Sequence, residues 1–145
     1  MMEAAIGISV FLEDGASYDT AMTKFLGRVP AYIYLKSDGA LPKAAPGSPQ
    51  VGDTAKLIKY WQNQNIFQED GISQETCRDL THTGYGLASI AHVAEISRQQ
   101  GRDLYLEDTG RRLQAGLEFH SNFELGGAIP QWVCNGTLHL GLGPG

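Results

Sequence analysis

The sequence predicts an all-α fold of antiparallel helical hairpins with one long Pro/Gly-rich loop, and three observations carry that prediction. Residues 80–100 and 106–123 each place apolar residues at helical spacing, and only Gly101-Arg102-Asp103-Leu104-Tyr105 joins them, short enough to make the helices antiparallel neighbours. Residues 3–12 and 18–26 form a shorter pair around an Asp14-Gly15 turn. Between the two pairs, Pro30, Gly39, Pro42, Pro46, Gly47 and Pro49 exclude helix from most of residues 27–52.

Taken in order, residues 3–12 read as a short apolar helix that packs on the next one. The Pro/Gly-rich segment reads as a surface excursion with one buried aromatic patch, in which Tyr32-Ile33-Tyr34-Leu35 is extended at most. Asp53 is placed to cap a helix through Leu57, Ile58, Tyr60 and Trp61 that ends near Asn65. Residues 63–75 read as a polar connection. The helix at 80–100 stops at Gln99-Gln100-Gly101, and its Leu87, Ile90 and Ala94 are expected to mate with Leu113, Leu117 and His120 of its partner. Gly86 and Gly116 would let those axes approach closely. Residues 126–145 read as an irregular, glycine-rich tail anchored by Trp132.

A length of 145 residues suits a single domain with one hydrophobic core. With 42% hydrophobic and 19% charged residues the chain is ordinary globular material rather than a disordered segment. The formal net charge of -5 argues against a non-specific nucleic-acid binder, because phosphate attraction needs a surplus of Lys and Arg. No membrane partner is expected, since no run approaches the roughly 20 apolar residues of a span. The apolar stretch from Ala4 to Leu12 lacks a basic flank and a small-residue cleavage pattern, so it does not read as a signal peptide, and the cellular location stays open. Cys77 and Cys134 show no Cys-x-x-Cys spacing, and no metal site is expected. They read either as one disulfide or as two reduced, buried thiols.

Chemistry concentrates where the long helix begins. At about 100° per residue, Arg78, His82, Tyr85, Ser89 and His92 would share one face, bringing together a cation, two imidazoles, a phenol and a hydroxyl. Arg78 could clamp a carboxylate with its planar guanidinium, or pair with Asp79 or Glu75 and fix the loop. His82 reads as an acid–base residue or as a cap on the helix start. Tyr85 reads as packing or as a substrate contact, and His92 and His120 read as satisfied core or surface histidines. Glu118 and Asn122 mark a solvated helix side. Tyr32, Tyr34, Tyr60 and Trp61 suit either sugar stacking or the core.

The order of residues also resembles the alginate lyase family of polysaccharide lyases. The match is carried by Arg78-Asp79, His82-Thr83, Gly86-Leu87, Gln100-Gly101, Asp103-Leu104-Tyr105, Arg112-Leu113 and Gly116-Leu117-Glu118. Earlier, Arg28-Val29-Pro30-Ala31-Tyr32-Ile33-Tyr34-Leu35 and Ser37-Asp38-Gly39 join it; later, Ile129-Pro130-Gln131-Trp132-Val133-Cys134 does. The resemblance implies an α/α toroid, a ring of helical hairpins around a cleft, of which this chain would be an incomplete, partial-length portion. Relatives ordinarily begin earlier, with an Asn-Trp segment, and continue past Gly145 into a helix bearing a catalytic tyrosine.

The implied reaction is β-elimination on a uronate-containing polysaccharide. The carboxylate is neutralised, a base removes the C5 proton, and an acid protonates the departing glycosidic oxygen, with no dissociable cofactor. His82 and Arg78 stand at the catalytic positions, and Tyr85, Glu75 and Tyr34 stand as candidate substrate-binding residues. The implied partners are an anionic polysaccharide and, because an open arc of hairpins exposes apolar flanks, a second copy of the chain. Related sequences carry cysteines at both positions here, which favours the disulfide, and glycine where Asn135 stands, which marks a turn. The alternative is a non-catalytic, truncated helical protein that acts as a binding or self-associating module.

Overall fold

Aspartate carboxylates mark where three of the helices begin. Asp14 accepts the Ser17 N–H at 3.0 Å, Asp53 the Lys56 N–H at 3.0 Å and Asp79 the His82 N–H at 2.7 Å, each satisfying a donor that a first helical turn otherwise leaves unpaired. In the computed structural model, which describes residues 2–141, these caps open α2 (Gly15–Arg28), α3 (Thr54–Tyr60) and α4 (Leu80–Gln99). The first helix, α1 (Met2–Phe11), precedes them, and α5 (Asp108–Glu124) follows. Short 3₁₀ turns occupy Val29–Ala31, Lys36–Asp38, Leu104–Leu106 and Cys134–Gly136. The protein is all-α: among the described residues the extended pairing is an isolated bridge between Ile33 and Ser73. No helix there is long and apolar enough to cross a membrane.

The expected pairs are present, with α1 packed on α2, α4 on α5, and α1 also on α4. One apolar cluster joins Ile6, Met22, Phe25, Ile33, Leu87, Ile90, Val93 and Leu113; a second joins Tyr34, Leu57, Trp61, Ile72, Leu80, Phe119, Phe123 and Val133. Gly116 makes the close approach of α5 to α4, since a Cβ there would meet Leu87 Cδ2 at 2.8 Å. Gly86 has a different neighbour, the ring of Tyr32. Leu117 is not part of the ridge either, being 48% exposed, because the buried stripe of α5 runs through Leu113, Gly116 and His120. The third helix stops at Tyr60 rather than near Asn65, and Gln62 and Asn63 take left-handed conformations (φ 56° and 66°) that end it.

Two connections differ more from the reading of the sequence. Residues 27 and 28 still belong to α2, and Val29, Ala31, Ile33, Tyr34 and Leu35 run buried through the molecule instead of over its surface. The second connection is buried too, at Ile72, Ser73, Gln74 and Thr76. Burial of two irregular segments requires that their backbones find partners, and they find each other. The Tyr34 N–H donates to Ile72 O at 3.0 Å, the Gly71 N–H to Tyr34 O at 2.9 Å and the Gln74 N–H to Tyr32 O at 2.8 Å. Arg112 fastens the loop from the other side. Wholly buried, it donates two 2.6 Å bonds to Asp38, one of 2.6 Å to Asp108 and one of 2.7 Å to Ile33 O. Burial works against the Asp38 charge, yet the bonds from Arg112 hold its carboxyl below the usual range.

The tail is irregular outside its one short turn, as expected, and residues 142–145 lie outside the described residues. Trp132 packs against Phe119 at 6.2 Å, and Gln64 Nε2 donates to Trp132 O at 2.7 Å. Cys77 and Cys134 form a disulfide, so the alternative of two reduced thiols falls away. Asn135 adopts the left-handed conformation (φ 55°, ψ 35°) of a turn residue.

Candidate active site

The segment before α4 is fixed from three sides. Gly116 O accepts from His120 Nδ1–H at 2.6 Å, which leaves Nε2 to accept the Thr76 hydroxyl at 2.8 Å, while Thr76 Oγ1 accepts the Ser73 N–H at 2.8 Å. The disulfide ties Cys77 to the tail, and the Leu80 N–H donates to His139 O at 2.8 Å. Burial pushes the His120 imidazole down to about 4, so it is neutral in the folded protein. His120 is thus the satisfied core histidine the sequence suggested.

Asp79 emerges from this frame with two roles. Its side chain is 1% exposed, it caps α4, and it meets the His82 ring, with Nδ1 at 2.8 Å from one carboxylate oxygen and 2.7 Å from the other. An ionised carboxylate only accepts, so Nδ1 carries the hydrogen and the neutral ring keeps its lone pair on Nε2. His82 is therefore not the cap; Asp79 is. At 30% exposure the His82 side chain is reachable from solvent.

The remaining predicted residues separate. Arg78 precedes the helix and does not continue its stripe; it stands exposed on the rim, with Nη1 3.5 Å from Glu75 Oε2. Tyr85 does not pack in a core: it is 67% exposed and meets the His82 ring edge-on at 6.1 Å. Tyr34 cannot stack on a sugar, because it is 2% exposed and its hydroxyl donates to Gly39 O at 2.6 Å inside the second cluster. Trp61 is buried as well, whereas Tyr60 is half-exposed. His92 lies on the outside of α4, with Nδ1 2.7 Å from Glu3 Oε1.

A groove of about 250 Å³ runs beside α4, lined by Arg28, Tyr32, Tyr60, Gly86, Ser89 and Ile90 among others. Tyr32 lies across the helix at Gly86, where any Cβ would overlap the phenol, so glycine is required for the groove to have this wall. Burial pushes the Tyr32 phenol up, and the Glu75 charge adds to the shift, so near neutral pH the phenol keeps its proton and is not a base. His82, Gly86 and Ser89 fall at i, i+4 and i+7 on one helix face, which sets His82 one turn beyond the end of the groove. No family model, curated protein or solved structure matches this chain.

Sequence reasoning missed two contributors to this site. Asp79 is legible as an N-cap from its place before Leu80, but its second bond to the imidazole needs coordinates. The contact of Tyr32 with Gly86 joins positions 54 apart in sequence and leaves no local signal.

Proposed function

We propose that the chain carries an acid–base site for eliminative cleavage of a uronate-containing polysaccharide, with His82 as the proton-transfer residue and Asp79 as its positioning residue. The observation that carries this reading is the Nδ1 contact of a solvent-reachable His82 with a buried carboxylate. An acceptor fixed in this way suits the abstraction step. His82 Nε2 would take the C5 proton, the electron pair left on C5 would form the C4–C5 double bond, and the C4–O bond would break with its oxygen taking a proton from solvent water, after which the imidazolium returns its own proton to solvent. Asp79 stabilises the imidazolium formed on the way. Arg78, exposed on the rim, is available to neutralise the uronate carboxylate that makes the C5 proton acidic. Paired helices of the α1–α2 and α4–α5 kind are the unit from which an α/α ring would be assembled, and they support the same reading.

Incubation of the pure protein with alginate and with glucuronan, while ultraviolet absorbance of the unsaturated product is followed, tests this reading. Signal that His82→Ala abolishes supports the enzyme; no signal on any uronate polymer contradicts it.

A second reading, a non-catalytic self-associating module, is favoured by a different observation. Ile8, Phe11 and Leu12 stand exposed on and just after α1, Phe11 by 86%, and Ile8 and Leu12 border an apolar groove of about 500 Å³ between α1 and α2.

A further inference from the structure

Among the described residues, the arginines are paired with acids in all cases but one. Arg78 faces Glu75, Arg98 faces Glu95, Arg102 faces Glu107, Arg111 faces Asp108, and Arg112 faces both Asp38 and Asp108. Arg28, the last residue of α2, has no acid against it. It stands where two cavities meet: the groove of about 250 Å³ beside α4, and a second of about 230 Å³ that runs toward Ser48, Pro49 and Gln50. Tyr60 lines both cavities alongside it.

Each cavity also holds a hydroxyl with nothing to bond. Three buried side-chain polar atoms lack a partner among the described residues, and two of them, Tyr32 Oη and Ser48 Oγ, line these two cavities. Ser73 stands close enough to moderate the Tyr32 shift, yet outside hydrogen-bond geometry. A buried hydroxyl without a partner is unfavourable, so the pair is better satisfied by something that enters. Two carboxylates are close by, and both are engaged: Glu75 with Arg78, and Glu3 with His92.

We infer that Arg28, Tyr32, Tyr60 and Ser48 form a subsite for an acidic sugar, distinct from the residues that act at His82. Its elements match the ligand's chemistry one by one. The guanidinium of Arg28 holds the uronate carboxylate, the Tyr60 ring offers a face to the pyranose, and the two orphan hydroxyls meet sugar hydroxyls. The register follows from the helix: Ser89 lies roughly 10 Å along α4 from His82, a reach that a short oligosaccharide spans. The subsite therefore positions a chain across His82 instead of neutralising the reacting unit. This inference rests on the reading of the protein as one that handles uronate polymers.

The experiment is calorimetric titration of the full chain, carrying His82→Ala to prevent turnover, with a short oligoglucuronate and with a neutral oligoglucose of equal length. The uronate binds and the neutral oligomer does not; adding Arg28→Gln weakens the uronate roughly tenfold or more and flattens its salt dependence. Ser48→Ala, which removes a hydroxyl without disturbing any bond in the fold, weakens it to a lesser extent. Equal binding with and without Arg28, equal binding of charged and neutral oligomers, or no binding of the uronate overturns the subsite. The two readings fail separately. Arg28-dependent binding by a protein that cuts no polymer sinks the lyase and leaves the subsite, while cleavage with a KM indifferent to Arg28→Gln sinks the subsite and leaves the lyase.

Discussion

His82 and His120 flank the same connection and are put to opposite uses by burial. His120 is closed in by α5 and Thr76, with its pKa at about 4, below the ordinary 6.5. Above pH 6.5 the folded and unfolded chains both hold it neutral. Between 6.5 and 4 the unfolded chain takes a proton that the folded one refuses, so stability falls with pH through that window, by up to about 3 kcal/mol, and levels off below it. Urea unfolding of the wild type at pH 7 and 4.5 should show the loss, and His120→Gln should remove most of it; a variant that keeps the full pH dependence contradicts the assignment. Of the residues singled out in sequence, His120 and Asn135 read as they stand in the structure. Tyr85 did not, and Tyr34 stood open between core and sugar contact, because an aromatic residue carries no local mark of whether its ring will meet a core or solvent. Tyr34 is drawn inside by pairing with Ile72, and Tyr85 is turned outward by its position on α4.

Among the elements, apolar spacing, the Asp53 cap and the Gln99-Gln100-Gly101 stop made the helices legible. The buried connections were not legible, since residues 29–35 and 71–76 show neither helical nor alternating period. The polar side chains of residues 71–76 suggest a surface until Ser73, Thr76, Thr83 and His120 are seen to satisfy one another. The disulfide locks this arrangement by tying the tail to the loop before α4 across 57 positions. For a closed loop of that length the chain-entropy contribution is about 4 kcal/mol, a large share of the stability of a domain this size. Reduction, or Cys134→Ser, should therefore lower the urea midpoint markedly and expose residues 126–141 to proteolysis. A midpoint and a cleavage pattern unchanged by reductant would show that the tail is held without the bond.

For the molecule as a unit, fold class was within reach of the sequence because the hairpins follow from short connections and helical spacing. For function the sequence offers only a resemblance, since the groove beside α4 is assembled from α2, α4 and distant segments whose pairing no spacing announces. The exposed apolar row of α1 predicts that two copies associate through that face, so light scattering at micromolar concentration should give the mass of a dimer; a monomer contradicts it. The proposed chemistry stands or falls on Asp79 holding His82 as an acid–base group. The decisive comparison is the rate of unsaturated-product formation from a uronate polymer by the wild type, His82→Ala and Asp79→Asn. Asparagine still caps the helix, so that variant isolates the carboxylate's charge on the imidazole. We expect a loss of roughly 10²- to 10⁴-fold for His82→Ala and a substantial loss for Asp79→Asn with the helix content unchanged; equal rates in all three proteins, or no product from any of them, would refute the assignment.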